Sequence, residues 1–314
     1  MKKIARLIKK NESIALIVHV NPDADCIGSA CALLIALRSM GKKAHIFCES
    51  NVPNRLSFLI EEDFFASCGS YDVCLAIDVA EKGMMGAMEN EIYSIAPVKC
   101  CIDHHFTNKG YADYNYIDSK ASAAGEIVYQ FIKNYLKQEI TPDIAMRLYA
   151  AIASDTGSFR YSNTTTCTHE IASKLLKTGF DAPRVMSTLF ERKTSEQLKL
   201  NAEVTSNLEF YMENKVCVAT VDEKMLEKYS IAFGEADDIA AIPRSIVGVE
   251  VGVYIKVKGE RECKVSLRSN EYVDVAQIAK QLGGGGHIRA AGVTVNETRE
   301  DTQKLILDLI QKVI

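Results

Sequence analysis

The run Val98-Lys99-Cys100-Cys101-Ile102-Asp103-His104-His105 decides how this chain is read. Its first five residues, apolar but for Lys99, read as a buried strand, and the trio Asp103-His104-His105 stands where that strand ends. Carboxylate and imidazole are costly at such a place unless something compensates them. The carboxyl ends of parallel strands are where α/β proteins carry out metal and phosphate chemistry. A surface turn with two solvated histidines is the alternative for the trio taken alone. Three other acid-bearing segment ends weigh against it.

The first is His19-Val20-Asn21-Pro22-Asp23-Ala24-Asp25, closing the apolar strand Ser13–Val20. In an extended segment Asp23 and Asp25 point the same way, because side chains repeat every two residues. Gly28 and Ser29, in the helix that follows, offer backbone amides to an anion. The second is Asp78, ending the strand Val73–Asp78. The third is Asp155, closing an otherwise apolar helix. An acid at a helix C-terminus opposes the helix dipole, which points to a compensating cation. Parallel strands bring their carboxyl ends to one crevice, so the four groups can converge. Oxygen and imidazole donors without thiolate suit manganese or another octahedral divalent ion better than structural zinc. Two such ions roughly 3.5–4 Å apart can clamp a phosphoryl group and activate a water.

Strands alternating with helices around these points predict a parallel sheet covered on both faces. Cys26–Met40 reads as the first helix and Lys43–Cys48 as the next strand. A Met-rich helix is expected over Met84–Ile95. Ser122–Gln138 is expected to be helical, and Thr141-Pro142-Asp143 supplies a cap, a first-turn proline and a dipole-compatible acid for the helix ending near Ser154. His45 and His169 read as solvated. Past a polar helical stretch, Pro183–Phe210, the period changes: Lys215–Val221, Ile246–Val257 and Arg261–Arg268 read as strands, Asp274–Leu282 and Thr298–Val313 as helices. The expected architecture is therefore α/β. A parallel-sheet domain with flanking helices (1–185) is joined by a helical connector (186–210) to a smaller α+β domain (211–314).

With 314 residues the chain is long enough for about two domains. Its 47% apolar and 25% charged content is that of an ordinary globular protein. The ten cysteines sit in apolar runs such as Val73-Cys74-Leu75 and Val216-Cys217-Val218, and no CxxC pair occurs. They read as small buried hydrophobes in a reducing cytoplasm, not as a zinc site or a secreted framework. The basic N-terminus, Met1–Lys10, reads as a docking helix and not a targeting segment, and no apolar run reaches the length of a membrane span. The net charge of −4, from 37 basic and 41 acidic residues, argues against a duplex-DNA binder, which needs a basic face.

The order His-x-x-x-Asp-x-Asp, Asp, Asp-His-His, Asp over residues 19–155 resembles the DHH phosphoesterase superfamily. Gly283-Gly284-Gly285-Gly286-His287 and Arg289-Ala290-Ala291-Gly292, with Ser266-Leu267-Arg268-Ser269 upstream, resemble the DHH-associated domain. Length and compactness resemble the nanoRNase/pAp phosphatase branch more than the longer RecJ exonucleases. The resemblance implies two divalent ions, manganese foremost, with magnesium or cobalt as substitutes. His19, Asp23 and Asp78 would hold one; Asp25, Asp78, His104 and Asp155 the other, with Asp78 bridging. His105 would meet the scissile phosphate, and Asp103 would orient a histidine. Gly285, Gly286, His287, Arg268 and Arg289 would grip the substrate's far end through a backbone nest, with Arg160 a weaker candidate.

The implied substrates are short oligoribonucleotides, linear dinucleotides such as pApA, and the 3′-phosphate of pAp. The expected partners are those RNAs and mononucleotides, with no duplex DNA and no membrane; a homodimer is compatible. A manganese pyrophosphatase shares the first domain's motifs but lacks the Gly-Gly-Gly-His signature. A non-catalytic nucleotide- or RNA-binding module would not need four acids in one crevice.

Overall fold

The first strand is apolar on both sides, and its surroundings follow from that. β1 (Ser13–Ile17) is flanked in sequence by helix α1 (Lys2–Lys10) and is buried at every position after Ser13. Ile14 and Leu16 face one core cluster while Ala15 and Ile17 face another, so both faces of the sheet are covered. The computed structural model describes residues 1–314, which divide into two units, Met1–Arg192 and Lys193–Ile314.

In the first unit, α2 (Ala24–Ser39), β2 (Lys43–Phe47), β3 (Val73–Ile77), β4 (Val98–Asp103) and β5 (Tyr114–Ile117) follow in chain order. The five strands form one sheet in the order β2-β1-β3-β4-β5, every pair parallel. The chain leaves β1 toward β2 and returns on the other side at β3. A crevice therefore opens at the carboxyl ends of β1 and β3, the usual ligand position in open α/β sheets. His19 to Asp25 and Asp78 lie there.

The remaining helices of this unit are α3 (Ala124–Gln130), α4 (Pro142–Asp155), α5 (Thr166–Leu176) and α6 (Ala182–Met186). The α4 N-terminus forms as its sequence dictates: Thr141 Oγ1 accepts from Ile144 N at 3.3 Å, Pro142 takes the first turn, and Asp143 meets the dipole. Helices α2 and α4 cross at Gly28. A Cβ placed there would sit 2.5 Å from the Arg147 carbonyl oxygen and 3.1 Å from Ala151 Cβ. Gly28 is thus a close-packing residue inside α2, and the reading of it as an anion-binding amide is corrected.

Two further expectations change. The helix over Met84–Ile95 is instead a 3₁₀ turn (Lys82–Met85) and a π turn (Glu89–Tyr93). Gly86 separates them with φ +59, a conformation that ends a right-handed helix. A side chain there would collide with Glu49, whose carboxylate accepts from Ala87 N at 2.5 Å. His45 is half-buried, with Nδ1 2.9 Å from Tyr71 Oη, and not simply solvated.

The second unit comprises α7 (Ser195–Ser206), β6 (Glu209–Tyr211), β7 (Val216–Val221), α8 (Glu223–Lys228), β8 (Val251–Lys258), β9 (Glu262–Ser269), α9 (Val275–Gln281), β10 (Gly285–His287), β11 (Ala290–Val295) and α10 (Arg299–Ile310). Its sheet runs β10-β11-β9-β8-β7-β6, with β7 and β8 parallel and all other pairs antiparallel. One face packs on α9 and α10, the other on α7, α8 and a 3₁₀ segment, Phe233–Ala241. The strand expected from Ile246 begins at Val251. No helix of the chain is long and apolar enough to cross a membrane.

Candidate active site

His104 is the hub of the first unit's crevice. Its Nε2 lies 3.3 Å from Asp155 Oδ2, 3.4 Å from Asp78 Oδ1 and 3.7 Å from Asp25 Oδ2. Four segments far apart in sequence supply this cluster, and each is held independently. Asp25, fully buried at the start of α2, accepts from Ala124 N at 2.6 Å and Gly125 N at 2.9 Å, the first amides of α3, and from Ser29 Oγ at 3.2 Å. Asp155 is the last residue of α4, followed by three left-handed residues, Gly157, Ser158 and Phe159, with φ of 54, 61 and 62°. Asp78 turns out of β3 with φ +58, its amide donating to Ile102 O at 3.0 Å. An aspartate held in that region costs about 1–3 kcal/mol, which the surrounding sheet must supply.

The acids respond to their crowding. Burial, then the charges of Asp78 and Asp155, push Asp25 well above the usual carboxylate range. Burial also raises Asp155, against the pull of His104. For Asp78 burial is outweighed by contact with His104 and by the charge of His105, so it stays below the usual range. His104 is held well above an ordinary imidazole; burial opposes this, and Asp155 and Asp78 overcome it.

A second pair, His19 and Asp23, stands beside this hub. His19 Nε2 is 3.9 Å from Asp23 Oδ2, and Asp23 caps α2 by accepting from Cys26 N at 3.0 Å through Oδ1. The two histidines share a ring orientation. His19 Nδ1 is 2.9 Å from the Val20 carbonyl and His104 Nδ1 is 3.3 Å from the Ala121 carbonyl. A carbonyl can only accept, so Nδ1 carries a proton and Nε2 is the nitrogen turned toward the acids. That is the ring orientation a metal-ligating histidine takes, fixed by an outer acceptor, once its Nε2 proton has left.

The donor set fits divalent cations. Asp78 Oδ1 is buried without a hydrogen bond of good geometry, and three carboxylates converge on one imidazole nitrogen. Such an arrangement is expensive unless a cation neutralises it. His19, Asp23, Asp25, Asp78, His104 and Asp155 could hold such ions.

Asp103 and His105 do something else. Asp103 is fully buried, and its Oδ1 lies 2.8 Å from His105 Nδ1 while accepting from the His104 and His105 amides at 2.8 and 3.3 Å. Its Oδ2 accepts from Asn108 Nδ2 at 2.7 Å. Burial opposes protonation of His105, but the Asp103 hydrogen bond and the Asp78 charge raise it to about 9. Asn108 and the amides of Ala124 and Gly125 went unnoticed in the sequence, because their part is to hold the acids. Cys26, read as a small buried hydrophobe, is fully buried in the core, with its sulfur within 4.8 Å of the His19 and Asp23 donor atoms. Asp103→Asn is expected to lower turnover by about 10–100-fold while leaving metal affinity within a few-fold, since the negative charge behind His105 is lost while no candidate metal ligand is removed. Parallel metal titrations and turnover assays check this.

The second unit assembles its own candidates. Arg268 on β9 pairs across the ladder with Ala290 on β11, and Ser269 N donates to Arg289 O at 3.1 Å. Gly285, Gly286 and His287 form the edge strand β10. Only the second half of the glycine run, Gly285 and Gly286, is strand; Gly283 and Gly284 connect it to α9. Gly286 (φ +139) lies so near β11 that a Cβ would be 2.5 Å from Ala290 O, and one on Gly284 would be 2.3 Å from Gly292 O. Gly285 leaves open space. The Arg289 guanidinium donates to the carbonyls of Val273 at 2.9 Å and of Glu271. In the first unit Arg160 is exposed and donates through Nε to Gly157 O at 2.7 Å, bracing the left-handed turn after Asp155.

Residues 13–152 match the DHH family, N-terminal domain, and residues 213–314 match the DHHA1 domain. The bifunctional oligoribonuclease and PAP phosphatase NrnA of Thermus thermophilus is 31% identical over 300 residues, covering 94% of this chain and 88% of that protein. The protein of the same name from Bacillus subtilis is 28% identical over 312 residues, covering 98% and 96%. The fold is shared with an exopolyphosphatase-related protein from Bacteroides fragilis at a TM-score of 0.89, with 22% identity over 99% of this chain and 95% of that one. The chain belongs to the DHH family, with a DHHA1 domain behind it, in the NrnA-like branch.

Proposed function

We propose that this chain is a divalent-metal-dependent phosphoesterase that hydrolyses short oligoribonucleotides and linear dinucleotides such as pApA and removes the 3′-phosphate of pAp. The observation that carries this is the convergence of Asp25, Asp78 and Asp155 on His104 Nε2. Relatives matched over nearly their whole length bear names for both activities.

His19, Asp23 and Asp78 would hold one ion and Asp25, Asp78, His104 and Asp155 a second, with Asp78 shared. Manganese is the proposed ion, given all-oxygen and imidazole donors around His104. Bound there, the ions supply Lewis acidity toward a phosphoryl oxygen and lower the pKa of a water. The chain's residues do the rest. Asp103 locks the ring of His105 through Nδ1, directing Nε2 outward as a proton donor to the phosphate or its leaving oxygen. Burial of the acids keeps bulk water from screening the developing charge. Arg268, Gly285, Gly286, His287 and Arg289 are proposed to receive the substrate's distal phosphate or base, and Arg160 a phosphate beside Asp155. The setting is the cytoplasm, where ten free cysteines remain reduced.

A product profile with manganese across pAp, pApA, five-residue RNA and pyrophosphate tests the reading. Cleavage of the short RNAs and pAp is expected; turnover of pyrophosphate alone would overturn it. Metal should also stabilise the fold. At a free ion concentration about 100 times its Kd, binding adds about 2.7 kcal/mol. A melting rise of roughly 5–10 °C in manganese over chelator is therefore expected for a unit this size.

A further inference from the structure

We infer that Asn163 is a positioning residue: its side-chain amide clasps the end of α4 to the segment entering α3, and so sets where Asp155 stands relative to His104 and Asp25. The inference rests on the reading of those three residues as ligands of one metal ion.

The clasp is one amide group shared between two carbonyls. Asn163 Nδ2 donates to Ser122 O at 3.0 Å and to Asp155 O at 3.1 Å. Carbonyl oxygens only accept, so the NH2 end of the side chain faces them, and its two hydrogens match the two acceptors. Asp155 closes α4, where the last carbonyls have no partner within the helix. The turn that follows covers three of them: Thr156 N donates to Ile152 O at 3.1 Å, Ser158 N to Ala153 O at 2.7 Å and Gly157 N to Ser154 O at 3.0 Å. The Asp155 carbonyl takes the Asn163 amide.

At the other end of the clasp, Ser122 lies in the middle of the segment that supports the remaining two ligands. Ala121 O is 3.3 Å from His104 Nδ1, and the Ala124 and Gly125 amides hold the Asp25 carboxylate. The buried Ser122 hydroxyl donates to Glu126 and lies 2.7 Å from Thr168 Oγ1, which accepts from Thr165 N at 3.0 Å. Residues 163–168 thus grip Ser122 at its carbonyl and at its hydroxyl, and Asn163 reaches on from there to Asp155. The ligands proposed for the other ion are fixed elsewhere: the Val20 carbonyl orients His19, and Asp23 caps the Cys26 amide. Opening the clasp should therefore weaken one metal position and spare the other.

Manganese titrated into metal-free full-length protein, with the free ion counted by electron paramagnetic resonance, tests this. The native protein should take up two ions. In Asn163→Ala, and in Asn163→Leu, which keeps the size but removes both hydrogens, one site should weaken about tenfold and the other by less than about threefold. Asn163 is exposed and water can replace its amide, so the melting temperature in chelator should stay within about 4 °C of the native value. Native-like binding of both ions in either folded variant would overturn the role of Asn163 and leave the metal reading standing. Equal weakening of the two sites would do the same, being the mark of a residue that only supports the fold. A native protein that binds no manganese would overturn both readings. Circular dichroism identifies a variant that fails to fold, and the other variant then decides.

Discussion

Asp78→Asn is expected to cut hydrolysis of pApA by about 10³-fold, corresponding to about 4 kcal/mol of lost transition-state stabilisation. The substitution is chosen for its geometry. Position 78 holds φ +58, and asparagine tolerates the left-handed region about as well as aspartate. The amide donating to Ile102 O is untouched. What disappears is one negative charge on the carboxylate that both proposed metal positions share. Circular dichroism in chelator should match the native protein, with a somewhat lower melting temperature because the ionised Asp78 beside His104 and His105 is lost. Asp78→Ala should be equally inactive but somewhat less stable, because a side chain without a polar group gains nothing from the left-handed conformation. Unchanged manganese-dependent turnover in the asparagine variant would refute the proposed function.

Gly28→Ala should destabilise the first unit by about 2–3 kcal/mol, lowering its melting temperature by roughly 5–10 °C. The sign is the informative part. In an exposed helix interior the same change stabilises by about 1 kcal/mol. Here the new methyl would meet the Arg147 carbonyl oxygen at 2.5 Å, and backbone oxygen in the middle of α4 cannot rotate away. The two helices must part. Asp25 rides on α2 and Asp155 ends α4, so the separation also spreads the acids around His104. Activity should fall with stability, and manganese should restore less of it than in the native chain. Thermal unfolding with and without the ion checks both points; a variant more stable than the native protein would show that the helices have slack at Gly28.

How much of this was legible in the sequence depended on local physics. Strands β1 and β3 announce themselves because both faces are buried, so their runs are apolar almost throughout. β5, Tyr-Asn-Tyr-Ile at the sheet edge, lacks that signature. β10 was hidden by glycines, whose small size the sequence presents as looseness; the structure uses it to bring two backbones together. The acids of the site were readable because each ends an apolar segment. Their supports were not: an Asn108 in a loop, or the amides of Ala124 and Gly125, carry no signal without the fold.

The Asp25 carboxylate, gripped by the first amides of α3 and by Ser29, bears on how the protein can be handled at the bench. A ligand with its own protein donors does not depend on an ion to stay in place, and Asp103 is anchored in the same manner. Stripping the ions should therefore leave an assembled, reloadable scaffold, unlike small domains that unravel without their metal. One purified batch could then be emptied and refilled with ion after ion, each preparation differing from the last in nothing but its cargo.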